Sequence, residues 1–451
     1  MTRSTRVRRA LYVIVGGLGA ACNASDAPTS PATPLFSQAI QKNLSRNGGA
    51  FEFDALSSSA TCTVAGGDAV RPFVLPSGFG QTIVAREPAF ADAIDMNTQN
   101  ESGPDAGRYL YRPTEGSVGE VSVTDLVTGV TKRLAFRSDW ESMDLIAWTP
   151  WGTLLVGEEA GRQSRPDPDY PNAIGGLVYE IALVPGDPTT AASITARPAV
   201  GAKSHEGTRF DKQGNLYGIS ESNPGFIFRF VPDQKGDLSS GQLYALKITN
   251  DLGDRTGEAE WIPLDRDAVQ IDANLVAREA GATGYNRPED VEIGSSTGNN
   301  RGGNNVLYVA LTGRASPQDN RVIAIDLRAP DGGSDHATAF VYDYVKWGVN
   351  TTTEFEMPDN LALDQQGNLY IAEDPGGSFP GKTKGDDIWR ATPGVGHHSP
   401  AQSVDRFASL TDCSAEPTGI YFDLKSDRLF VNVQHRGGDG RDLAMAIDRV
   451  K

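Results

Sequence analysis

The feature that most constrains the fold is a hairpin pattern that recurs along the chain. Segments 206–220 and 359–373 each contain a short apolar strand, a turn of the form Asp-x-x-Gly-Asn and a second apolar strand. Segments 144–158, 288–311 and 416–434 repeat the pattern with other turns, and residues 107–137 add strands for a sixth unit. Short strands separated by Gly, Asn and Asp are typical of β-hairpins.

Radial repetition of four-stranded sheets accounts best for such units. A β-helix repeats more tightly, and a sandwich does not repeat. The units are further apart than the roughly 40–50 residues of common propeller repeats, which indicates insertions between strands. We therefore predict an all-β fold, a six-bladed β-propeller with inserted loops, formed as a single domain by residues 61–451.

The N-terminus has the pattern of an export signal at residues 1–22. Arginines precede an apolar run at 10–21, which is too short for a bilayer core that requires about 20 residues. Arg8-Arg9 leaves both the general secretory route and the twin-arginine route open. Cys22 follows Leu18-Gly19-Ala20-Ala21, which resembles a lipoprotein cleavage site. The sequence is therefore compatible both with a lipid anchor on Cys22 and with an unmodified cysteine. Residues 23–60 are predicted to be a flexible tether.

The net charge and the cysteines indicate which partners the protein can bind and in which compartment it is expected. The formal net charge is −17 and no basic block is present, which disfavours nucleic-acid binding. In an exported chain, the remaining Cys62 and Cys413 are expected to form a disulfide, because zinc sites usually have closely spaced cysteines. We expect a monomer without a membrane span, in the periplasm or at the cell surface.

Acidic residues recur at the open ends of the predicted hairpins. In a propeller the inner strands line a central channel, so equivalent ends should meet at one mouth. The acids expected there are Asp144, Glu158, Glu159, Glu206, Glu289, Glu373, Asp374 and Glu416. Packed carboxylates repel one another, and sets of oxygen ligands favour Ca²⁺. Strand alternation allows only one of Glu158 and Glu159 to face the channel. The alternative is that these acids only cap turns and solvate strand ends.

The same segments resemble the PhoX-type alkaline phosphatases. The matching stretches, in the order of the family, are 149–159, 205–206, 228–232, 287–289, 357–361, 373–374, 416–419 and 429–435. The resemblance implies an exported propeller phosphatase acting on phosphate monoesters, with calcium ions and an iron pair in its channel. The metal ligands it implies here are Glu158 or Glu159, Glu206, Glu289, Glu373 and Glu416.

Two positions depart from the family pattern. Gly157 stands where the phosphatases have a cysteine that binds iron, so calcium is the expected cofactor and the iron pair lacks its sulfur ligand. Ser220-Glu221-Ser222 replaces a Thr-Glu-Asp-like stretch.

The candidates for phosphate recognition are Arg287 and Arg314, because both lie beside repeat acids and a guanidinium binds phosphate oxygens well. His205 and His435 could orient water or serve as packed structural residues. Motifs of serine hydrolases, zinc proteases and P-loop nucleotidases are absent from the sequence. We therefore expect an exported metal-dependent phosphoesterase with a small phosphorylated substrate. A non-catalytic calcium-binding propeller and a lactonase-like hydrolase remain the alternatives.

Overall fold

The computed structural model describes residues 52–64, 66–117, 119–294, 306–313, 319–327, 338–374, 382–424 and 428–450. The predicted export signal at 1–22 and the candidate Arg314 lie outside the described residues.

The turn motif of the repeat has a clear physical basis. In one hairpin, Asn368 donates its backbone N–H to Asp364 Oδ1 (2.9 Å) and its side-chain amide to Oδ2 (2.7 Å). Gly367 between them has φ +82°, a left-handed conformation that glycine adopts without strain. Asn215 makes the same two bonds to Asp211, at 2.8 and 2.7 Å. The sequence motif therefore specifies a tight hairpin locally.

Strands are the main regular secondary structure of the described residues. In chain order they are β1 (Phe73–Val74), β2 (Phe79–Arg86), β3 (Thr98–Gln99), β4 (Tyr109–Pro113), β5 (Glu120–Asp125), β6 (Val130–Phe136), β7 (Met143–Trp148), β8 (Leu154–Glu158), β9 (Val178–Val184), β10 (Asp187–Ala196), β11 (Thr208–Phe210), β12 (Leu216–Ile219) and β13 (Ile227–Gln234). They continue with β14 (Asp237–Gly253), β15 (Thr256–Pro263), β16 (Pro288–Gly294), β17 (Val306–Leu311), β18 (Arg321–Asp326), β19 (Thr338–Lys346), β20 (Pro358–Leu363), β21 (Leu369–Glu373), β22 (Asp387–Thr392), β23 (Ser403–Leu410), β24 (Glu416–Phe422), β25 (Leu429–Gln434) and β26 (Leu443–Arg449).

These strands form antiparallel sheets in the orders β3-β4-β5-β6, β10-β9-β8-β7, β1-β23-β22-β21-β20 and β2-β26-β25-β24. A nine-stranded sheet contains two further runs, β11 to β14 and β16 to β19, which β15 joins by pairing with both β14 and β19. The predicted all-β propeller is confirmed. Within the described residues we interpret the four-stranded runs as six blades, and that number stays a prediction.

The two ends of the folded region are joined twice. Strand β2 pairs with β26, so an N-terminal strand completes the last sheet. Cys62 and Cys413 form a disulfide with their Cα atoms 5.0 Å apart and a sequence separation of 351. Chain-entropy arithmetic gives such a crosslink about 5 kcal/mol of stabilisation as an upper figure.

The core lies between the faces of neighbouring sheets. Tyr370 of β21 packs on Phe407 of β23 and on Phe422 of β24, with ring centroids 5.5 and 4.9 Å apart. Burial of one such aromatic ring stabilises the fold by about 1.5–3 kcal/mol. The α-helix of the described region, α1, spans Val269–Glu279 and packs its buried face against the sheet that contains β14. No helix in the described ranges is long and apolar enough to cross a membrane.

Candidate metal-binding and active site

The first strands of neighbouring units contact one another in the series β3, β7, β11, β16, β20 and β24. They are therefore the inner strands of the propeller. Five units share one backbone hydrogen bond at the same end of these strands, from a residue just past the second strand to a residue just before the first. The bonds run from Glu115 to Ala93 (2.8 Å), Glu159 to Ser142 (2.7 Å), Glu221 to Ser204 (3.2 Å), Thr312 to Arg287 (3.1 Å) and Asp374 to Met357 (3.0 Å).

A carboxylate stands two residues after each acceptor of this bond. These carboxylates are Asp95, Asp144, Glu206, Glu289 and Asp359. Most of the acceptors are in the left-handed region, with φ values of +60° at Ala93, +43° at Ser142, +24° at Arg287 and +36° at Met357. A non-glycine residue there costs on the order of 1–3 kcal/mol, and such strain clusters at functional sites. The repeated strain points to a functional requirement at the start of the inner strands.

The first-strand acids meet in two groups. Asp95, Glu115 and Asp144 each offer an oxygen, and these oxygens lie within 4.8 Å of one another. Glu206, Glu289 and Asp359 form a second group by the same measure. All of these residues except the half-buried Glu115 are buried. Each group therefore supplies three carboxylates to one small volume.

The remaining acids connect the two groups. Glu159 is in hydrogen-bonding contact with Glu221 and with Glu115, and Glu416 is in the same kind of contact with Asp374. We name the ten carboxylates together the channel acids: Asp95, Glu115, Asp144, Glu159, Glu206, Glu221, Glu289, Asp359, Asp374 and Glu416.

Seven of the channel acids resist ionisation. Burial, and then repulsion by neighbouring carboxylates, raises the pKa of Glu206 well above its ordinary value. Burial is also the largest cause of the raised pKa values of Asp95, Asp144, Glu159, Glu289, Asp359 and Glu416. Such a cluster either binds protons or binds cations. Oxygen-only ligand sets of this kind suit hard divalent cations, Ca²⁺ above all.

Glu158 and Glu373, which the sequence analysis counts among the ligands, point away from the channel acids. Glu158 accepts hydrogen bonds from the backbone N–H groups of Glu141 (3.3 Å) and Leu177 (3.0 Å) and from the Gln163 amide (2.8 Å). Glu373 accepts from the N–H groups of Glu356 (2.8 Å) and Asp387 (3.0 Å) and from the indole of Trp389 (2.7 Å). The next residue in each case, Glu159 or Asp374, belongs to the channel acids.

Arg287 is the cation that the structure places among these acids. Its Nε donates to Glu221 Oε1 (2.7 Å), its Nη2 also contacts Glu221, and its Nη1 lies 3.2 Å from Glu289 Oε1. Burial acts to raise the pKa of Glu221, but contacts with Glu159 and Arg287 outweigh it, so that the pKa is lowered. Glu221 therefore holds the guanidinium in place.

The histidines separate into two environments. His205 is buried, with Nδ1 2.7 Å from Lys203 Nζ and Nε2 2.9 Å from the Gly201 carbonyl oxygen. Burial and then Lys203 lower the pKa of His205 well below its ordinary value, and burial lowers the pKa of Lys203 to about 7. His435 is half exposed, and its Nε2 lies 3.5 Å from Glu416 Oε1. Only His435 contacts a channel acid directly in the described contacts.

Gly157 faces the interior between two sheets. A Cβ at this position would lie 3.0 Å from His205 Cβ and 3.3 Å from Leu145 Cβ. A larger side chain here requires its neighbours to move by a few tenths of an ångström. The position holds no side-chain donor, so the described residues do not supply the sulfur ligand that an iron centre of the resembling family would use.

Asp95 and Glu115 are channel acids that the sequence analysis did not single out. Their unit has a very short inner strand, Thr98–Gln99, and a longer connection in place of the Asp-x-x-Gly-Asn turn. The sequence signal that could have found Asp95 is an apolar residue directly followed by an acid. Ile94-Asp95 shares this order with Pro358-Asp359.

Residues 147–437 match the alkaline phosphatase PhoX family. This chain belongs to that family. The match covers more than half of the chain and includes most of the channel acids. The PhoX family is one of metal-dependent phosphatases, so the chain is classed as a phosphatase, and the resemblance found in the sequence is confirmed.

A solved structure of a PhoX protein shows the same fold. The chain superposes on Pseudomonas fluorescens PhoX in complex with vanadate, a transition state analogue, with a TM-score of 0.64 and 19% identity over 88% of this chain and 98% of that chain. Weaker likenesses include a protein of unknown function from Dyadobacter fermentans (TM-score 0.49, 9% identity, 83% and 100% covered) and a putative phosphatase from Bacteroides thetaiotaomicron (0.45, 11%, 80% and 72%). The curated proteins gave no match.

Proposed function

We propose that this chain is an exported, calcium-dependent phosphoesterase that hydrolyses small phosphate monoesters at the channel acids. The observation that carries the proposal is the pair of three-carboxylate groups beside the anchored Arg287. Family membership supports phosphatase activity, and the Cys62–Cys413 disulfide fits an oxidising compartment. The expected location is the periplasm or the cell surface.

The described residues fit calcium. The groups Asp95–Glu115–Asp144 and Glu206–Glu289–Asp359 would each hold one cation, and Glu159 and Asp374 lie between them as further oxygen donors. A bound divalent cation would neutralise phosphate oxygens and make the phosphorus more electrophilic. A phosphate dianion is repelled by this many ionised carboxylates, so bound cations would be needed for it to approach, and the oxygen-only ligand set favours calcium.

Arg287 would contribute to binding the phosphate group. Its guanidinium is held at one edge by Glu221, and the side chain keeps 23% of its surface exposed. A positioned guanidinium donates charge-assisted hydrogen bonds to phosphate oxygens and gains from being oriented in advance. In this role Glu221 positions Arg287, and Glu289 limits the rotation of the guanidinium through Nη1.

Chelation and one pair of variants test the proposal. Hydrolysis of p-nitrophenyl phosphate should be lost in excess chelator and return with calcium alone. Glu206→Gln should lower kcat/KM at least about 100-fold, because it removes a charge from one carboxylate group. Glu260→Gln, in the exposed part of β15, removes the same charge elsewhere and should leave the rate unchanged. Full activity of the wild type in excess chelator would refute calcium dependence.

A second candidate function is a non-catalytic calcium-binding propeller. Gly157 favours it, since the position that bears a sulfur ligand in the resembling phosphatases has no side chain here. This candidate predicts calcium binding with the same carboxylate dependence but no turnover of any phosphate monoester. A panel of monoesters assayed with calcium-loaded protein separates the two functions.

A further inference from the structure

A third group of carboxylates lies where the two ends of the propeller join. Glu87 directly follows β2, Asp92 lies in the loop after it, and Asp442 directly precedes β26. Each residue offers a carboxylate oxygen, and these oxygens lie within 4.8 Å of one another. We name this group the closure acids, because β2 and β26 are the strand pair that completes the last sheet.

Asp442 is the most deeply buried of the three closure acids. The residue is 1% exposed, and its Oδ2 accepts a hydrogen bond from the Ala93 N–H at 2.9 Å. Its Oδ1 is buried and makes no hydrogen bond within the described residues. The backbone N–H of Arg436 also acts on the carboxyl and lowers its pKa, though by less than the N–H of Ala93 does. A buried carboxylate oxygen without a partner is costly, which indicates a ligand that completes its coordination.

The surroundings of Asp442 are acidic. Burial raises the pKa of Asp442 to about 7, and the charges of Asp92 and Glu87 add to the effect. Burial also raises the pKa of Glu87, and its carboxylate Oε2 is fixed by the Asp442 N–H at 3.0 Å. Asp92 is exposed, so the group opens to solvent on one side. An ion from solution could therefore reach Asp442 past Asp92 and keep part of its water shell.

We propose that the closure acids bind a divalent cation, with Ca²⁺ as the expected ion, at a site separate from the channel acids. Three carboxylates and several waters match the six to eight oxygen ligands and the flexible geometry of Ca²⁺. Mg²⁺ is expected to bind more weakly, since it requires a near-octahedral arrangement at shorter distances. The ion stabilises the closure by linking the residues that follow β2 to the residue that precedes β26.

The closure acids are also connected to the channel. Asp442 Oδ2 accepts the N–H of Ala93, and the Ala93 carbonyl oxygen accepts the N–H of Glu115 at 2.8 Å. Asp95 lies two residues beyond Ala93. A cation that fixes Asp442 therefore fixes the strained peptide that positions one of the three-carboxylate groups in the channel.

The test uses the full folded chain, stripped of metal, with calcium alone as the probe. Asp92→Asn removes one charge at the exposed rim and leaves the hydrogen bonds of Asp442 intact. We expect this variant to bind one calcium at least about tenfold more weakly than the wild type in a calorimetric titration. Asp169→Asn, at an exposed acid in the loop between β8 and β9, removes the same charge elsewhere and should bind like the wild type.

Thermal stability supplies a second readout. In chelator, Asp92→Asn should melt at or above the temperature of the wild type, because it relieves repulsion. In calcium the wild type should melt at the higher temperature. Asp442→Asn should abolish the same binding event if it folds. Glu206→Gln should retain that event while losing binding in the channel, which keeps this proposal independent of the proposed function. Equal calcium titrations and parallel melting shifts for Asp92→Asn and the wild type would overturn the proposal.

Discussion

Two pairs of acids that are adjacent in sequence have opposite environments. Glu158 and Glu373 lie within their own sheets, and each accepts N–H hydrogen bonds from both sides. Glu159 and Asp374, the next residues, face other carboxylates across the channel. Glu206 and Glu289 in the channel are as buried as Glu158 and Glu373, so burial alone does not distinguish a ligand from a structural acid in this protein.

The difference lies in what satisfies the negative charge. The sheet acids receive hydrogen bonds from backbone N–H groups and from the Trp389 indole, donors that the fold supplies. The channel acids receive few such bonds and repel one another, so a cation must supply the compensation. An acid surrounded by hydrogen-bond donors stabilises the fold, whereas an acid surrounded by other acids forms part of a cation-binding site.

The largest expected effect comes from substituting Glu158 and Glu159 one at a time. Glu159→Gln should lower both calcium affinity and phosphatase activity at least about 100-fold, since it removes a charge from the channel. Glu158→Gln should lower the melting temperature but change calcium affinity less than about twofold. Calorimetry and monoester hydrolysis measure both outcomes. Equal losses of calcium affinity in the two variants would show that the comparison is wrong.

The pH dependence of stability sharpens the comparison for the channel acids as a set. The seven channel acids with raised pKa values bind protons more tightly in the folded state, so ionisation disfavours folding as the pH rises above their unfolded values of about 4. The melting temperature of metal-stripped protein should therefore fall by about 5 °C or more between about pH 5 and pH 8. Calcium should remove most of this fall, because it binds the ionised carboxylates. A flat profile without metal would contradict the expected repulsion.

A smaller effect is expected for the second pair. The sequence analysis predicts that Glu373 is a metal ligand, whereas its hydrogen bonds predict a structural role. Glu373→Gln places an amide group against N–H donors and should cost about 1–3 kcal/mol of unfolding free energy. Its calcium titration should match that of the wild type, while that of Asp374→Asn should be weakened. Loss of calcium binding in Glu373→Gln would return this residue to the ligand set.

The smallest effect concerns Gly157. Gly157→Cys restores the sulfur that the family resemblance implies, and Gly157→Ala is the control with the same Cβ and no sulfur. Both should cost about 1 kcal/mol or somewhat more, because the new Cβ crowds His205. Elemental analysis should find more iron in the cysteine variant than in the alanine variant. Equal iron contents would show that the missing sulfur is not what excludes iron.

Some features of the site could not be predicted from the sequence. Strand alternation required Glu158 and Glu159 to face opposite ways, but it could not decide which of them faces the channel. Asp95 and Glu115 were missed because their unit lacks the tight turn that marks the others. The closure acids come from the two ends of the chain, and only the pairing of β2 with β26 brings them together.

The sequence by itself determined the hairpins and the all-β architecture, because Asp364, Gly367 and Asn368 form their turn through contacts within five residues. The sequence also contained the resemblance to the phosphatases, which is confirmed, and the pattern of an export signal, which stays a prediction. Only the tertiary structure decided which acids meet. That outcome depends on the strained backbone before four of the inner strands and on contacts between blades, such as the approach of Glu206 to Asp359. Local patterns specify strands and turns, whereas the chemistry of the channel depends on distances between residues far apart in the chain.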